Sequence, residues 1–276
     1  MKRVAFPSVA VWAMLLSPAF AAELPLKAPP LQVATVTNWS GCYVGGAAGV
    51  VWAHGDPYTT TGSTTFFQIP PGVTTNVPGG QVASGPFDMS GGLAGVFGGC
   101  NYQTGAWVIG AEADWSALNA KGSASSSTAG LNSPLGPIVF TATNWTQTQH
   151  DLVTARARLG YAYGANLLLY ATGGAAWTKV DSSLSQPGTL FSEMQSNNVT
   201  GWTIGAGAEY MLPFQGWILR TEYLHVEFPA FTTFSPPITS AQPGAVNGFL
   251  TNVSTKLTDN ILRVGLSYKF GNWAQR

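Results

Sequence analysis

The run Trp107–Trp115, "WVIGAEADW", puts Trp107, Ile109, Ala111, Ala113 and Trp115 at every second position and leaves Glu112 and Asp114 on the face between them. A period of two is the period of a strand, and a slip of one residue would exchange the two faces completely. The run Val153–Tyr161 repeats the arrangement with the opposite sign: Val153, Ala155, Ala157, Leu159 and Tyr161 alternate with Arg156 and Arg158. Charged residues make up only 9% of this chain, against ~25% in ordinary soluble domains. Charges this scarce, kept to one face of apolar strands, point to an interior rather than to a wet surface.

Eight segments alternate in this way, near residues 39–53, 89–102, 106–118, 146–163, 167–179, 200–211, 216–228 and 256–270. The first two are rich in Gly, and the facing of their residues is open. The connections "QTG", "GAN" and "LPFQ" are short, and those between them are long stretches of Ser, Thr, Gly, Pro and Asn. Short turns therefore gather at one end and long loops at the other. An even number of antiparallel strands connected this way predicts an all-β fold, an eight-stranded antiparallel transmembrane β-barrel with short periplasmic turns and long extracellular loops.

The aromatic residues give the barrel its height. Trp107 and Trp115 share a face eight residues apart, and at ~3.4 Å per residue and ~40° of tilt they are separated by about 21 Å along the axis, close to the ~25 Å apolar band of such barrels. Tyr43, Tyr102, Tyr161, Tyr163, Tyr210, Trp217, Tyr268 and Phe270 fall at the short-turn end, and Trp52, Trp145, Trp177 and Trp202 at the long-loop end. Two aromatic girdles result.

If the apolar faces meet lipid, the charges meet one another. Strand parity sends Glu112, Asp114, Glu209 and Glu222 inward together with Arg156, Arg158, Arg220, Arg263 and Lys269. Such groups must pair in a narrow interior, because an unpaired buried charge costs several kcal/mol. Paired carboxylates also serve acid–base catalysis, but an interior ion-pair network accounts for them without chemistry, and no catalytic residue is assigned.

At the N-terminus, Lys2 and Arg3, an apolar run from Val4 to Phe20 and small residues at Ala19 and Ala21 read as a signal peptide over residues 1–21. Removing Lys2 and Arg3 from the 12 basic residues leaves 10 against 12 acidic ones, net −2. Residues 22–38 read as a Pro-rich periplasmic leader, 39–271 as the barrel and 272–276 as a C-terminal tail. Beyond the signal no apolar run is long enough for a membrane helix. No basic run suits nucleic acid. Cys42 and Cys100 lie near the inner ends of neighbouring strands in an oxidising compartment, and two readings stay open for them, a disulfide or two buried free thiols.

His54, His150 and His225 lie toward the long-loop end, and parity turns His150 inward and His225 outward, so no metal or haem site is assigned. No nucleophile motif accompanies them, which leaves a barrel-embedded enzyme without support. The loops carry aromatic residues, as in "TTFFQIP" and "FPAFTTFSPP", and few charges; they suit surface decoration or contact with host, phage or other cells. "FTATNWTQTQHD" and "GFLTNVSTKLTDN" keep strand-like alternation above the membrane, where protruding edges could capture partners by strand addition.

At "NWSGCYVGGAAGVVW", "VTARARLGYAY", "NLLLYATGGAAW", "TEYLHVEF" and "DNILRVGLSYKFG" the chain resembles the alphaproteobacterial outer-membrane immunogenic protein family, small porin-family barrels akin to the OmpA transmembrane domain and OmpX. The resemblance covers essentially the whole mature chain. It implies eight strands, an outer-membrane location, surface exposure and immunogenicity; some members are described as porins and some as haem binders. The chain departs from the family pattern in having Cys42 where an aromatic is usual and in continuing past Phe270 as "GNWAQR". The expected function is that of a monomeric, non-enzymatic surface barrel without a cofactor, with its lumen plugged by ion pairs. Its expected partners are outer-membrane lipid and lipopolysaccharide, the barrel-insertion machinery through the last strand, and external contacts through the loops. A small diffusion channel and a haem or metal receptor are the alternatives.

Overall fold

The structure is a computed structural model and describes residues 38–59, 64–68, 73–76, 86–126, 130–133, 136–139, 143–185, 192–234, 246–250 and 253–271. The signal peptide, the tail and all of the leader except Asn38 lie outside the described residues. In chain order the strands are β1 (Gly41–Thr59), β2 (Thr64–Gln68), β3 (Val73–Asn76), β4 (Phe87–Thr104), β5 (Trp107–Ser126), β6 (Gly130–Ser133) and β7 (Gly136–Val139). They continue with β8 (Thr143–Tyr163), β9 (Leu167–Ser185), β10 (Ser192–Met211), β11 (Trp217–Phe234), β12 (Val246–Leu250) and β13 (Val253–Phe270). No helix occurs among the described residues.

Eight of these strands close an antiparallel barrel in the order β1-β13-β11-β10-β9-β8-β5-β4, with β1 pairing β13 from Cys42–Phe270 up to Thr59–Val253. The period of two produces this directly, since each barrel strand offers lipid one apolar face. Val96, Ile109, Leu159, Ile204 and Leu266 are among the large apolar residues exposed on the outside. Closure leaves no strand edge in the hydrocarbon, where an unpaired peptide group would have no water to bond. The remaining strands lie in the long connections, as the sheet β12-β2-β3 and the hairpin β6-β7.

The barrel strands are longer than the apolar alternation suggests. β5 continues to Ser126 and β9 to Ser185, whereas about 9–11 tilted residues suffice to cross a membrane. The additional rungs are rich in Ser, Thr, Gly, Asn and Gln, with scattered apolar residues such as Trp145, Val180 and Phe228 turned inward, and show lipid no apolar face. The barrel wall therefore continues beyond the outer girdle. The protruding segments of β8 and β13 offer no free edge: β8 pairs with β5 and β9, and β13 with β1 and β11.

A register shift between Gln149 and Asp151 changes the facing of β8. His150 is turned outward, contrary to the parity expectation, because this bulge takes up one residue. The same shift turns Trp145, Gln147 and Gln149 inward, so Trp145 is 3% exposed and is no part of the outer girdle. Tyr43 is also lumenal, at 3% exposure, because Cys42 and Val44 take the outward face of β1. The other assigned girdle residues, Trp52, Trp107, Trp115, Tyr161, Trp177, Trp202, Tyr210, Trp217, Tyr268 and Phe270, all lie on the exposed outer surface. Neighbouring strands pair some of these rings edge to face, Trp107 with Tyr161 and Trp217 with Tyr268.

Cys42 and Cys100 stand directly opposite each other on β1 and β4 and are joined as a disulfide on the lipid-facing side near the short-turn end. Mass spectrometry of the unreduced, denatured chain treated with iodoacetamide is expected to find neither thiol alkylated, and both alkylated after reduction.

Candidate functional site

The middle of the lumen holds four carboxylates and four guanidiniums. Three of the pairs arise from strand register alone: Glu112 faces Arg156 across β5 and β8, Glu209 faces Arg220 across β10 and β11, and Glu222 faces Arg263 across β11 and β13. Cross-strand neighbours of opposite charge meet without further arrangement. Arg156–Asp114 and Arg158–Glu112 also join the neighbours β8 and β5, and the remaining links reach across the lumen between strands that are not neighbours.

Arg220 grips Glu112 with a fork, Nη1 donating to Oε1 at 2.9 Å and Nη2 to Oε2 at 2.7 Å, while its Nε donates to Glu209 at 2.9 Å. Arg156 donates to Glu112 at 2.5 Å, to Asp114 at 2.9 Å and to Glu222 at 3.0 Å. Arg263 donates to Glu222 at 2.7 Å and to Asp114 at 3.0 Å. Arg158 lies 2.8 Å from Glu209 and 3.4 Å from Glu112. Each carboxylate thus touches at least two guanidiniums, and all eight side chains are buried. Charge-assisted bonds of this kind are the strong ones, and their multiplicity answers the desolvation cost of burial.

Lys269 is not among them. Its ammonium lies at the short-turn rim and donates to the backbone carbonyl of Asn38. Parity turned it inward correctly, but it sits three rungs from Arg263 on the same face of β13, too far down the axis to reach the acids.

Residues that sequence reasoning did not place in the charged layer complete it. The Tyr43 hydroxyl donates to Glu112 at 2.6 Å and accepts from Arg158 at 2.5 Å; the Tyr170 hydroxyl donates to Glu222 at 2.8 Å, and the Thr154 hydroxyl to Asp114 at 2.5 Å. The Arg158 guanidinium lies 4.0 Å from the centre of the Tyr170 ring, and that of Arg220 lies 4.1 Å from the centre of the Phe97 ring, both close enough for cation–π attraction. Two glycines make the room: a Cβ at Gly99 would stand 2.6 Å from the Tyr43 hydroxyl, and one at Gly207 would stand 2.5 Å from that of Tyr170. Inward parity was the only available signal for these tyrosines, and the Gly-rich surroundings of Tyr43 hid it.

Apolar residues cover both sides of the charged layer. Toward the short turns, Trp39, Val108, Ala162, Leu168 and Ile218 form a buried cluster. Trp39 is held there by its amide, which donates to Gln103 at 2.6 Å. Toward the loops lies a larger cluster that includes Val51, Leu93, Leu118, Leu152, Leu224 and Ile261. Embedded at that level is Asp259, at 0% exposure, whose carboxylate accepts from the Gln149 amide at 2.8 Å and has no ion pair among the described residues.

The three histidines do not converge. His54 binds Asp88 at 2.7 Å and lies 3.3 Å from Asp56, His150 pairs with Asp181 at 2.9 Å, and His225 lies 3.0 Å from Asn260 beside Trp202. No group of His, Cys, Asp and Glu suited to a metal ion is present among the described residues. The hydrogen bond that His54 donates to Asp88, with the negative charges of Asp56 and Asp88, raises the His54 pKa against the opposing effect of burial.

The family model "Outer membrane protein beta-barrel domain" matches residues 13–270. The chain is 30% identical, over 281 residues, to the 31 kDa outer-membrane immunogenic proteins of Brucella melitensis biotype 1 and Brucella suis biovar 1, covering 98% of this chain and 100% of each relative. Among solved structures it is similar to the outer membrane protein OprG from Pseudomonas aeruginosa, at 16% identity and a TM-score of 0.48, covering 86% of this chain and 99% of that one. It is also similar to the outer membrane protease OmpT from Escherichia coli, at 8% identity and a TM-score of 0.47, covering 83% and 97%.

Arg156→Ala leaves Glu112, Asp114 and Glu222 each short of a donor in a sealed layer and is expected to cost about 3–5 kcal/mol, read as a lower urea midpoint for the refolded barrel in vesicles. Adding Glu222→Ala should cost less than the sum of the two single changes, as expected for directly coupled groups.

At the outer rim, NMR titration of labelled His54 should give a midpoint above the ordinary 6.5, and Asp88→Asn should bring it down. Because the folded value is the raised one, the stabilisation from protonated His54 is fully present below about 6.5 and disappears as pH rises through the folded pKa.

Proposed function

The chain belongs to the outer membrane protein beta-barrel domain family, and from that premise we propose that it is a monomeric, non-enzymatic barrel that serves envelope integrity and contact at the cell surface and does not conduct as a porin does. The observation that carries this reading is the layering of the lumen. Eight strands leave an interior that side chains can fill, and here the charged layer lies between an apolar cluster around Trp39 and another around Val51, Leu118 and Leu224. A continuous water column would have to pass both.

The same layering supports the absence of catalysis. The buried acids of the charged layer are committed to arginines and covered on both sides, so none is free to meet a substrate. The outer surface suits a lipid partner, with aromatic rings at both levels and apolar residues between them. The alternation Leu262, Val264, Leu266, Tyr268 and Phe270 on β13 suits recognition by the barrel-insertion machinery. Residues 1–21 are read as a cleaved export signal, 22–38 as a periplasmic leader, and 272–276 as a tail.

The test is planar-bilayer conductance of the refolded mature chain. No stable nanosiemens-scale steps are expected from the unmodified protein; their appearance would replace this reading with that of a diffusion channel.

A further inference from the structure

β10 is paired unequally on its two sides. With β9 its ladder runs from Ser192–Ser185 to Tyr210–Leu167, but with β11 it runs only from Trp202–Glu227 to Met211–Ile218. Above Phe228, β11 in turn pairs, among the described residues, only with β13. Among the described residues the barrel wall therefore has a seam between β10 and β11, beginning one rung above Trp202.

The sequence contains the cause. The Leu212 amide donates to the Trp217 carbonyl at 2.9 Å, so by alternation the even-numbered residues of β10 direct their peptide groups toward β11, and the odd-numbered residues of β11 direct theirs toward β10. The next rung would join Thr200 to residue 229, which is Pro229 and has no N–H. Pro229 also lies in the register irregularity between Phe228 and Phe231 against β13. The ladder is complete up to the outer-girdle residue Trp202, and opens only where water can reach the strands.

Among the described residues this edge lacks the usual protection. Exposed edges are generally blunted by Lys, Pro or bulges, yet Met194–Thr200, "MQSNNVT", has neither Lys nor Pro, and its register with β9 is unbroken. The peptide groups of Met194, Ser196, Asn198 and Thr200 face the seam, Met194 is 78% exposed, and the buried side-chain nitrogen of Asn197 has no hydrogen-bond partner among the described residues.

We propose that this edge of β10 receives an extended segment of another protein by antiparallel strand addition. The inference rests on the surface-contact part of the proposed function and is independent of whether the lumen conducts. The segment is proline-free, polar on the residues that continue the outer wall beside Ser196 and Asn198, and apolar on those that turn inward near Val199 and Phe228. A second copy is a poor occupant. A twofold axis along the membrane normal would set two β10 edges parallel with the same residues level, so that donors meet donors. The segment following β11 includes Pro236, Pro237 and Pro243, which lack the amides of a ladder strand.

The experiment uses the refolded full mature chain in vesicles, a phage-displayed library of random peptides as probe, and hydrogen exchange resolved to single amides. In the chain alone, the amides of Met194, Ser196, Asn198 and Thr200 should exchange fast, and those of Asn197 and Val199, directed to β9, slowly. A selected peptide should slow the first set by at least about tenfold. Asn198→Pro removes a seam-facing N–H without removing a rung to β9, and should weaken peptide binding at least about tenfold; Ser196→Lys, which protects the edge by charge, should do the same if the proline variant fails to fold. Four results would overturn the proposal: even-numbered amides already protected in the isolated monomer, protection that rises with protein concentration, peptides that bind the variants as well as the parent, or a selection yielding no peptide that protects the edge. None of these depends on a conductance measurement.

Discussion

A charge removed from water must be answered by another charge or by hydrogen-bond donors, and this barrel sets eight such charges in one layer of its lumen. Removing one would leave its neighbours uncompensated where water cannot compensate them. The layer also couples distant parts of the wall: Arg220 of β11 reaches Glu112 of β5, and Arg263 of β13 reaches Asp114. Hydrogen-bonded ladders hold neighbouring strands together around the circumference, whereas ion pairs such as Arg220–Glu112, Arg263–Asp114 and Arg156–Glu222 tie opposite walls to one another. Backbone closure and side-chain charge therefore constrain the same structure in two directions.

The remaining composition follows from that layer. Arginines extended across a narrow lumen need space on the facing wall, and the inward positions of β1, β4 and β10 provide it with glycine. Tyr43 and Tyr170 occupy part of that space and turn their hydroxyls onto the carboxylates, so the rings fill volume while supplying donors. The apolar clusters above and below exclude water from the ion pairs, which strengthens every attraction within the layer. Low overall charge, abundant glycine and inward tyrosines are three consequences of one requirement.

Above the outer girdle the requirement changes. Rungs in the hydrocarbon must all be closed, but those beyond it need not be, and the wall becomes Ser-, Thr- and Asn-rich. Pro229 stands where the first omitted rung between β10 and β11 would lie. Alternation was a good guide in the membrane, where lipid on one side and packed side chains on the other impose opposite chemistry on successive residues. It was a poor guide above it, where the continuation of β5 to Ser126 and the bulge at His150 leave no apolar pattern.

What the sequence determined by itself was the barrel, its strand number, the two girdles and the inward facing of the eight charged residues, because each follows from a period of two acting within a single strand. Parity could not say how far down the axis an inward residue would lie, so Lys269 read like Arg263, although one reaches the acids and the other only Asn38. It could not expose the bulge that reverses His150 and Trp145, the apolar covers around the charged layer, or the pairing of Cys42 with Cys100. Those depend on stagger between strands, on which side chains meet across the lumen and on where a ladder ends. Each is a relation between residues far apart in the chain, and only closure of the barrel brings them within reach.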